Sequence, residues 1–169
     1  MDVLGDALDS ASLRRAFGTF PTGVLALAAM NGGAPVGMAA SSFTSVSLDP
    51  PLAAVCVART STTWPVLAAC GRIGLSVLAA SHDRVCRQLA ARDGDRFAGV
   101  AWEKSPSGAV FLHGSALWLE CSVATTTPAG DHDIVVFAIE AVRADPDVTP
   151  LVFHRSGFTR LQDVAAGPS

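Results

Sequence analysis

The chain has 169 residues, half of them hydrophobic and 16% charged, with a net charge of −3. That length favours one domain, and the apolar content suffices for a sizeable core with some left over for an interface. The acidic balance lacks the basic patch of a nucleic-acid binder, and no apolar run reaches the roughly 18 residues of a membrane span, so neither nucleic acid nor membrane is expected as a partner.

The opening MDVLGDALDSASLRRAF has early acids and no continuous apolar stretch, unlike a signal peptide. Cys56, Cys70, Cys86 and Cys121 form no C-x-x-C pair. They read as reduced core thiols, and no Cys/His cluster suggests a metal. A cytoplasmic protein without metal is expected.

In chain order, residues 8–17 read as a helix capped by Ser10 or Ser12, with Leu13, Ala16 and Phe17 on one face. FPTG breaks the chain. VLALAAM (24–30) reads as a buried strand, NGGAP as its turn, and VGMAASSF as the return, so 24–43 form a hairpin. LAAVCVA (52–58) is another buried strand. Thr63 is placed to cap a short helix with Pro65 in its first turn. IGLSVLA (73–79) is a strand. Ser81 with Asp83 opens a helix whose Val85, Cys86 and Leu89 face the core, and ARDGDRF ends it. Residues 99–106 read as irregular. FLHGSALWLECSVATTTP (111–128) alternates like one or two strands, AGDHD is a tight turn, and IVVFAIEAVRA (134–144) pairs back. LVFHRSGFTRL closes with one short strand, and VAAGPS is a disordered tail. Strands joined by turns, with few helices, point to a mainly β antiparallel barrel with peripheral helices rather than βαβ units.

No glycine-rich dinucleotide fingerprint, phosphate-loop motif or G-x-S-x-G elbow occurs, which argues against Rossmann, P-loop and α/β-hydrolase sites. The four histidines lie far apart in sequence. Three polar elements remain. Residues 39–49 carry five hydroxyl side chains between two hydrophobic runs. Hydroxyls and free backbone N–H groups at a strand end suit a ligand with many acceptors, such as a phosphorylated cofactor; a Ser/Thr-rich strand on a half-wet sheet has the same composition. In ARTSTTW (58–64), Arg59 and the hydroxyls of Ser61, Thr62 and Thr63 stand before a helix, either a phosphate cradle or a capped surface loop. Asp131 and His132 sit in the third, a turn that serves either as a solvated hairpin end or as a polar hand over a ligand.

The ordered set FGTFPTGV (17–24), GMAASSFTSVSLDPPL (37–52), ARTSTTW (58–64), DRF (95–97), LEC (119–121), GDHDIVV (130–136) and PLVFHRSGF (150–158) resembles the flavin reductase domain family. The resemblance runs from about residue 12 to 161. It implies a split β-barrel of the FMN-binding type, antiparallel and Greek-key-like, spanning 12–161 between an N-terminal extension (1–11) and a tail (162–169). It also implies hydride transfer from NADH, with NADPH second, to FAD or FMN. Reduced flavin then passes to a flavin-dependent monooxygenase component, and the reductase is a homodimer.

Carried over by the resemblance, Met38, Ala39, Ala40, Ser41 and Ser42 line the isoalloxazine and ribityl chain. Ser47, Leu48 and Pro50 shape the far side. Ala58, Arg59, Ser61 and Thr62 form the phosphate segment, and Thr22 lies near the ring. Arg96 and Phe97 close over the flavin or adenine part. His132 positions the nicotinamide without serving as an essential base. Phe153, His154 and Phe158 are not carried over as site residues, since the terminal strand that holds them is equally suited to packing at a dimer interface. Many relatives have Thr or Asn where this chain has Ala39 and Ala40, which leaves backbone contacts there. The rival expectation is a non-catalytic flavin-binding or redox-sensing module on the same barrel.

Overall fold

The structure is a computed structural model that describes residues 8–162. The expectations for residues 1–7 and 163–169, including most of the predicted tail, lie outside the described residues.

Continuous burial from Leu25 to Ala29 explains the architecture. Strand β2 (Leu25–Asn31) follows a two-residue β1 (Thr22–Gly23) and is covered on both faces, as its unbroken apolar run requires. Leu25, Leu27 and Ala29 face a barrel core with Val55, Leu75 and Phe137. Ala26 and Ala28 face a second core with Leu78, Leu89, Val110 and Leu112. β2 is thus a wall between two cores, and its small outer residues let other elements approach closely.

β2 turns through Gly32 and Gly33, both at positive φ, into β3 (Ala34–Ala40), as the NGG signal predicts. β4 (Thr44–Leu48), β5 (Pro51–Ala58), β6 (Ile73–Val77), β9 (Leu117–Ala129) and β10 (His132–Ala144) complete a seven-stranded antiparallel sheet in the order β3-β2-β6-β9-β10-β5-β4. Consecutive strands β3 and β4 lie at opposite edges, so the sheet curls. Its seam is held by Ser42, whose hydroxyl accepts from the Cys56 N–H and donates to the Cys56 carbonyl, both at 2.9 Å. β9 and β10 form a long hairpin across the two-residue turn Gly130–Asp131.

Outside the barrel, β7 (Trp102–Lys104) pairs with β8 (Val110–Leu112), and β11 (Leu151–His154) pairs with β1 and with β12 (Gly157–Arg160). Two sequence expectations change here. Residues 102–104 are strand rather than irregular, because β8 supplies a partner that local sequence does not reveal. LVFHRSGFTRL is two strands, reversing at Arg155 and Ser156, both at positive φ without being glycine.

Helix α1 (Ser10–Phe17) is capped by Asp9, whose carboxylate accepts from the N–H groups of Ala11 and Ser12, instead of by Ser10 or Ser12. Its apolar face stays open, with no buried residue and Phe17 exposed. α2 (Trp64–Ala68) takes its cap from the Ser61 hydroxyl, which accepts from the Trp64 N–H at 3.1 Å; the expected Thr63 cap is engaged elsewhere. α3 (Asp83–Ala90) follows a 3-10 turn (Ala80–His82) and buries Cys86 and Leu89 as predicted. No side-chain cap bond from Ser81 or Asp83 opens it.

Candidate functional site

Between β3, the 60–63 loop and the end of α3 lies a cavity of about 570 Å³. The chain reverses after β5 because the Arg59 N–H is tied to the Asp131 carbonyl and the Ser61 N–H to the Ala58 carbonyl. That reversal sets the hydroxyls of Thr60, Ser61, Thr62 and Thr63 along one wall. Met38 and Ala39 of β3 form the opposite wall, and Arg92 and Arg96 close the end. No carboxylate lines it among the described residues. Two guanidinium groups and four hydroxyls with no acid make an anion site, since arginine carries its charge at any physiological pH. α2, only five residues long, adds little dipole of its own.

Arg96 holds this arrangement together. Its guanidinium donates to the Gly37 carbonyl at 3.0 Å and to the Thr63 hydroxyl at 2.7 Å, clamping β3 to the loop. Gly37 permits the close approach: a Cβ there would stand 2.8 Å from the Leu27 carbonyl oxygen and from Phe97 Cζ. Phe97 is buried beneath Gly37 and meets Trp102 edge-on, so it supports the clamp from the core.

A second polar group sits at the β9–β10 turn. His132 Nδ1 lies 2.7 Å from Asp131 Oδ1, and Arg59 Nε lies 3.7 Å from Asp133 Oδ1. The His132 bond holds the Asp131 carboxyl below the usual range. Arg59, Asp131 and His132 are exposed and Asp133 is partly buried, and none of the four lines the cavity.

Of the residues singled out in the sequence, the structure brings Met38, Ala39, Ser61, Thr62 and Arg96 into one cavity. Ala40 and Ser41 line an adjoining apolar compartment that shares Ala39. Ser42 spends its hydroxyl on the barrel seam. Ala58 lies in register with His132, and Arg59 beside it is tied by its N–H to the Asp131 carbonyl, on the turn side of the loop. Ser47, Leu48 and Pro50 lie at the β4–β5 corner, outside the cavity, with Leu48 almost fully exposed. Thr22 pairs with Phe153 at the edge of the small sheet. Arg92 was not expected. It stands in a turn that sequence marks only as the end of a helix, and nothing local says which wall it faces.

A cavity of about 280 Å³ near Trp118 lies among other residues. There Arg143 covers the Trp118 ring, His113 lies 3.1 Å from Glu103, and Asp145 accepts the Asp147 N–H.

Residues 17–162 match the family described as the flavin reductase like domain. The chain is 35% identical over 158 residues to a flavin reductase of Pseudomonas putida, covering 93% of each. It is 33% identical over 160 residues to the reductase subunit of a flavin-dependent monooxygenase from Rhodococcus jostii, covering 95% of this chain and 82% of that one. Among solved structures, the Streptomyces globisporus NADH:FAD oxidoreductase in complex with NAD and FAD fragments superposes with a TM-score of 0.89 at 35% identity, covering 96% of this chain and 99% of that one.

Proposed function

The chain belongs to the flavin reductase-like domain family, and from that membership we propose that it is an NADH-dependent flavin reductase serving a separate monooxygenase, with FAD as its flavin. The observation that carries this reading is the acid-free cavity walled by Arg92, Arg96 and the hydroxyls of residues 60–63, directly against β3. It fits a flavin phosphate, and the apolar compartment beyond Ala39 fits an uncharged ring. The Streptomyces neighbour, bound to NAD and FAD fragments, supports NADH over NADPH and FAD over FMN. The Rhodococcus relative, a monooxygenase reductase subunit, supports the partner.

A bound flavin supplies the hydride acceptor and NADH the hydride. The chain contributes placement. Arg92, Ser61 and Thr62 would hold the phosphate, while Arg96 keeps loop and strand at the right separation. The backbone of residues 39–41 would border the ring and offer donors to negative charge developing there. Hydride transfer between two bound cofactors would ask the chain for placement rather than for an acid or base, in keeping with a cavity that has no carboxylate. His132, oriented by Asp131, would position the nicotinamide. Thr62, Ala90 and Arg92 are exposed at the cavity edge, a suitable exit for a flavin that must leave. Two copies would associate through apolar side chains left open on the monomer, among them Phe17 and Phe20. The protein would work in the cytoplasm, where NADH is available.

The test is flavin-dependent loss of NADH absorbance with purified protein, repeated with FMN and with NADPH. Turnover with NADH and FAD is expected. Flavin binding without turnover on either nucleotide would establish the non-catalytic module instead.

A further inference from the structure

The cavity is one chamber of a longer trough beneath α3. Through Ala39 and Ala90 it adjoins the apolar compartment of about 210 Å³, which includes Phe153 and Phe158. That compartment shares Arg87 and Phe158 with an outer one of about 320 Å³, whose polar groups include Asp83, Thr159 and Arg160. Arg87 marks the boundary. Its guanidinium carbon lies 5.0 Å above the Phe158 ring centre, and Nη1 bonds Asp83 at 3.0 Å. Phe158 is itself braced edge-on by Phe153 at 5.8 Å. The Arg87 side chain is 66% exposed, so its outer surface remains open.

We propose that the Arg87–Phe158 stack is the platform for the adenine of the nicotinamide dinucleotide, a proposal that rests on the reductase reading. A guanidinium seated over an aromatic ring and bonded to a carboxylate offers a planar cation to an incoming purine. The flavin's own adenine would lie elsewhere: with the ring in the apolar compartment and the phosphates beside Arg92, the rest of FAD would continue away from Arg87, toward a compartment lined by Pro35, Gly37, Asp95 and Phe97. The outer compartment, past the ring end, is left for a second nucleotide.

The experiment compares NADH with reduced nicotinamide mononucleotide, which has the same hydride donor and no adenosine, in wild type, Arg87→Ala and Arg87→Lys. FAD and FMN affinities are measured by fluorescence quenching. In Arg87→Ala the KM for NADH is expected to rise roughly five- to thirtyfold, with the mononucleotide KM and both flavin affinities shifting less than about twofold. Arg87→Lys, which keeps the charge and loses the plane, should fall between. An unchanged NADH KM overturns the proposal, as does an equal rise for both donors. Loss of FAD affinity with FMN affinity intact also overturns it, by assigning the adenine to the flavin. If the wild-type protein oxidises neither donor in the presence of flavin, the reductase reading fails first and this one with it.

Discussion

The cavity and the β9–β10 turn lie on either side of one five-residue loop, yet they are built in opposite ways. In the cavity, half-buried Arg96 makes two directed bonds to groups far away in the chain. At the turn, Arg59 and Asp131 are more than half exposed and His132 nearly so; His132 pairs with its sequence neighbour Asp131, and Arg59 reaches Asp133 across the paired strands β5 and β10. Water and salt screen the second set far more than the first. Sequence adjacency therefore misleads: Arg59 and Ser61 are two residues apart, but the backbone tie to Asp131 turns them to different surfaces.

The sharpest way to break this contrast is Arg96→Ala. It removes a cation and leaves the Gly37 carbonyl and Thr63 hydroxyl without their partner. Flavin affinity should fall about thirtyfold or more, from a loss of about 2 kcal/mol, in a quenching titration. Wild-type affinity would mean the clamp is irrelevant to the cavity. Gly37→Ala attacks the same clamp from below. Its methyl group must displace backbone at Leu27 and the Phe97 ring, so denaturant unfolding should show a loss of about 1–3 kcal/mol; unchanged stability would show that the wall yields freely.

At the turn the expected effects are smaller. His132→Ala should raise the KM for NADH about two- to tenfold, the weight of one hydrogen bond, with flavin affinity retained; a selective loss of flavin affinity would move His132 into the cavity's function. Arg59→Ala should change flavin affinity less than about threefold, as expected of an exposed ion pair. A loss as large as that of Arg96→Ala would show that turn and cavity form one site.

His82 belongs to neither region and supplies a baseline. Its Nδ1 accepts the Ala79 N–H at 3.2 Å, and burial holds its pKa below 6.5 despite a bond to the His113 backbone. The folded state thus favours the neutral ring. This contribution is fully present above pH 6.5 and is lost as pH falls from there through the lowered folded value. Melting across that window should show the decline in wild type and lose it in His82→Gln. An identical decline in the variant would assign it to other groups.

Much of the barrel was legible because its signals are local. Alternating or continuous apolar runs marked β2, β5, β6, β9 and β10, and glycine-bearing turns marked two hairpins. What escaped were elements whose existence depends on a distant partner. β7 is three residues of ordinary composition that become strand only because Val110–Leu112 lies alongside. The reversal at Arg155 and Ser156 places two non-glycine residues at positive φ, a conformation their types do not announce.

The functional segments divide the same way. The polar elements at 37–49, 58–64 and 130–133 each left a bland reading open, and only the ordered set of seven motifs from 17–24 to 150–158 pointed, by resemblance, to the family and the cofactor class. Tertiary structure decided which side chains meet. It spent the Ser42 hydroxyl on the barrel seam, directed Arg59 to Asp133, and brought Arg92 and Arg96 across some thirty residues of chain to face Ser61, Thr62 and Thr63. The physical reason is reach. Hydrogen-bonding capacity is a property of each residue, but its partner is chosen by how the sheet curls and where the chain is tied, and both are set by contacts between residues far apart in sequence.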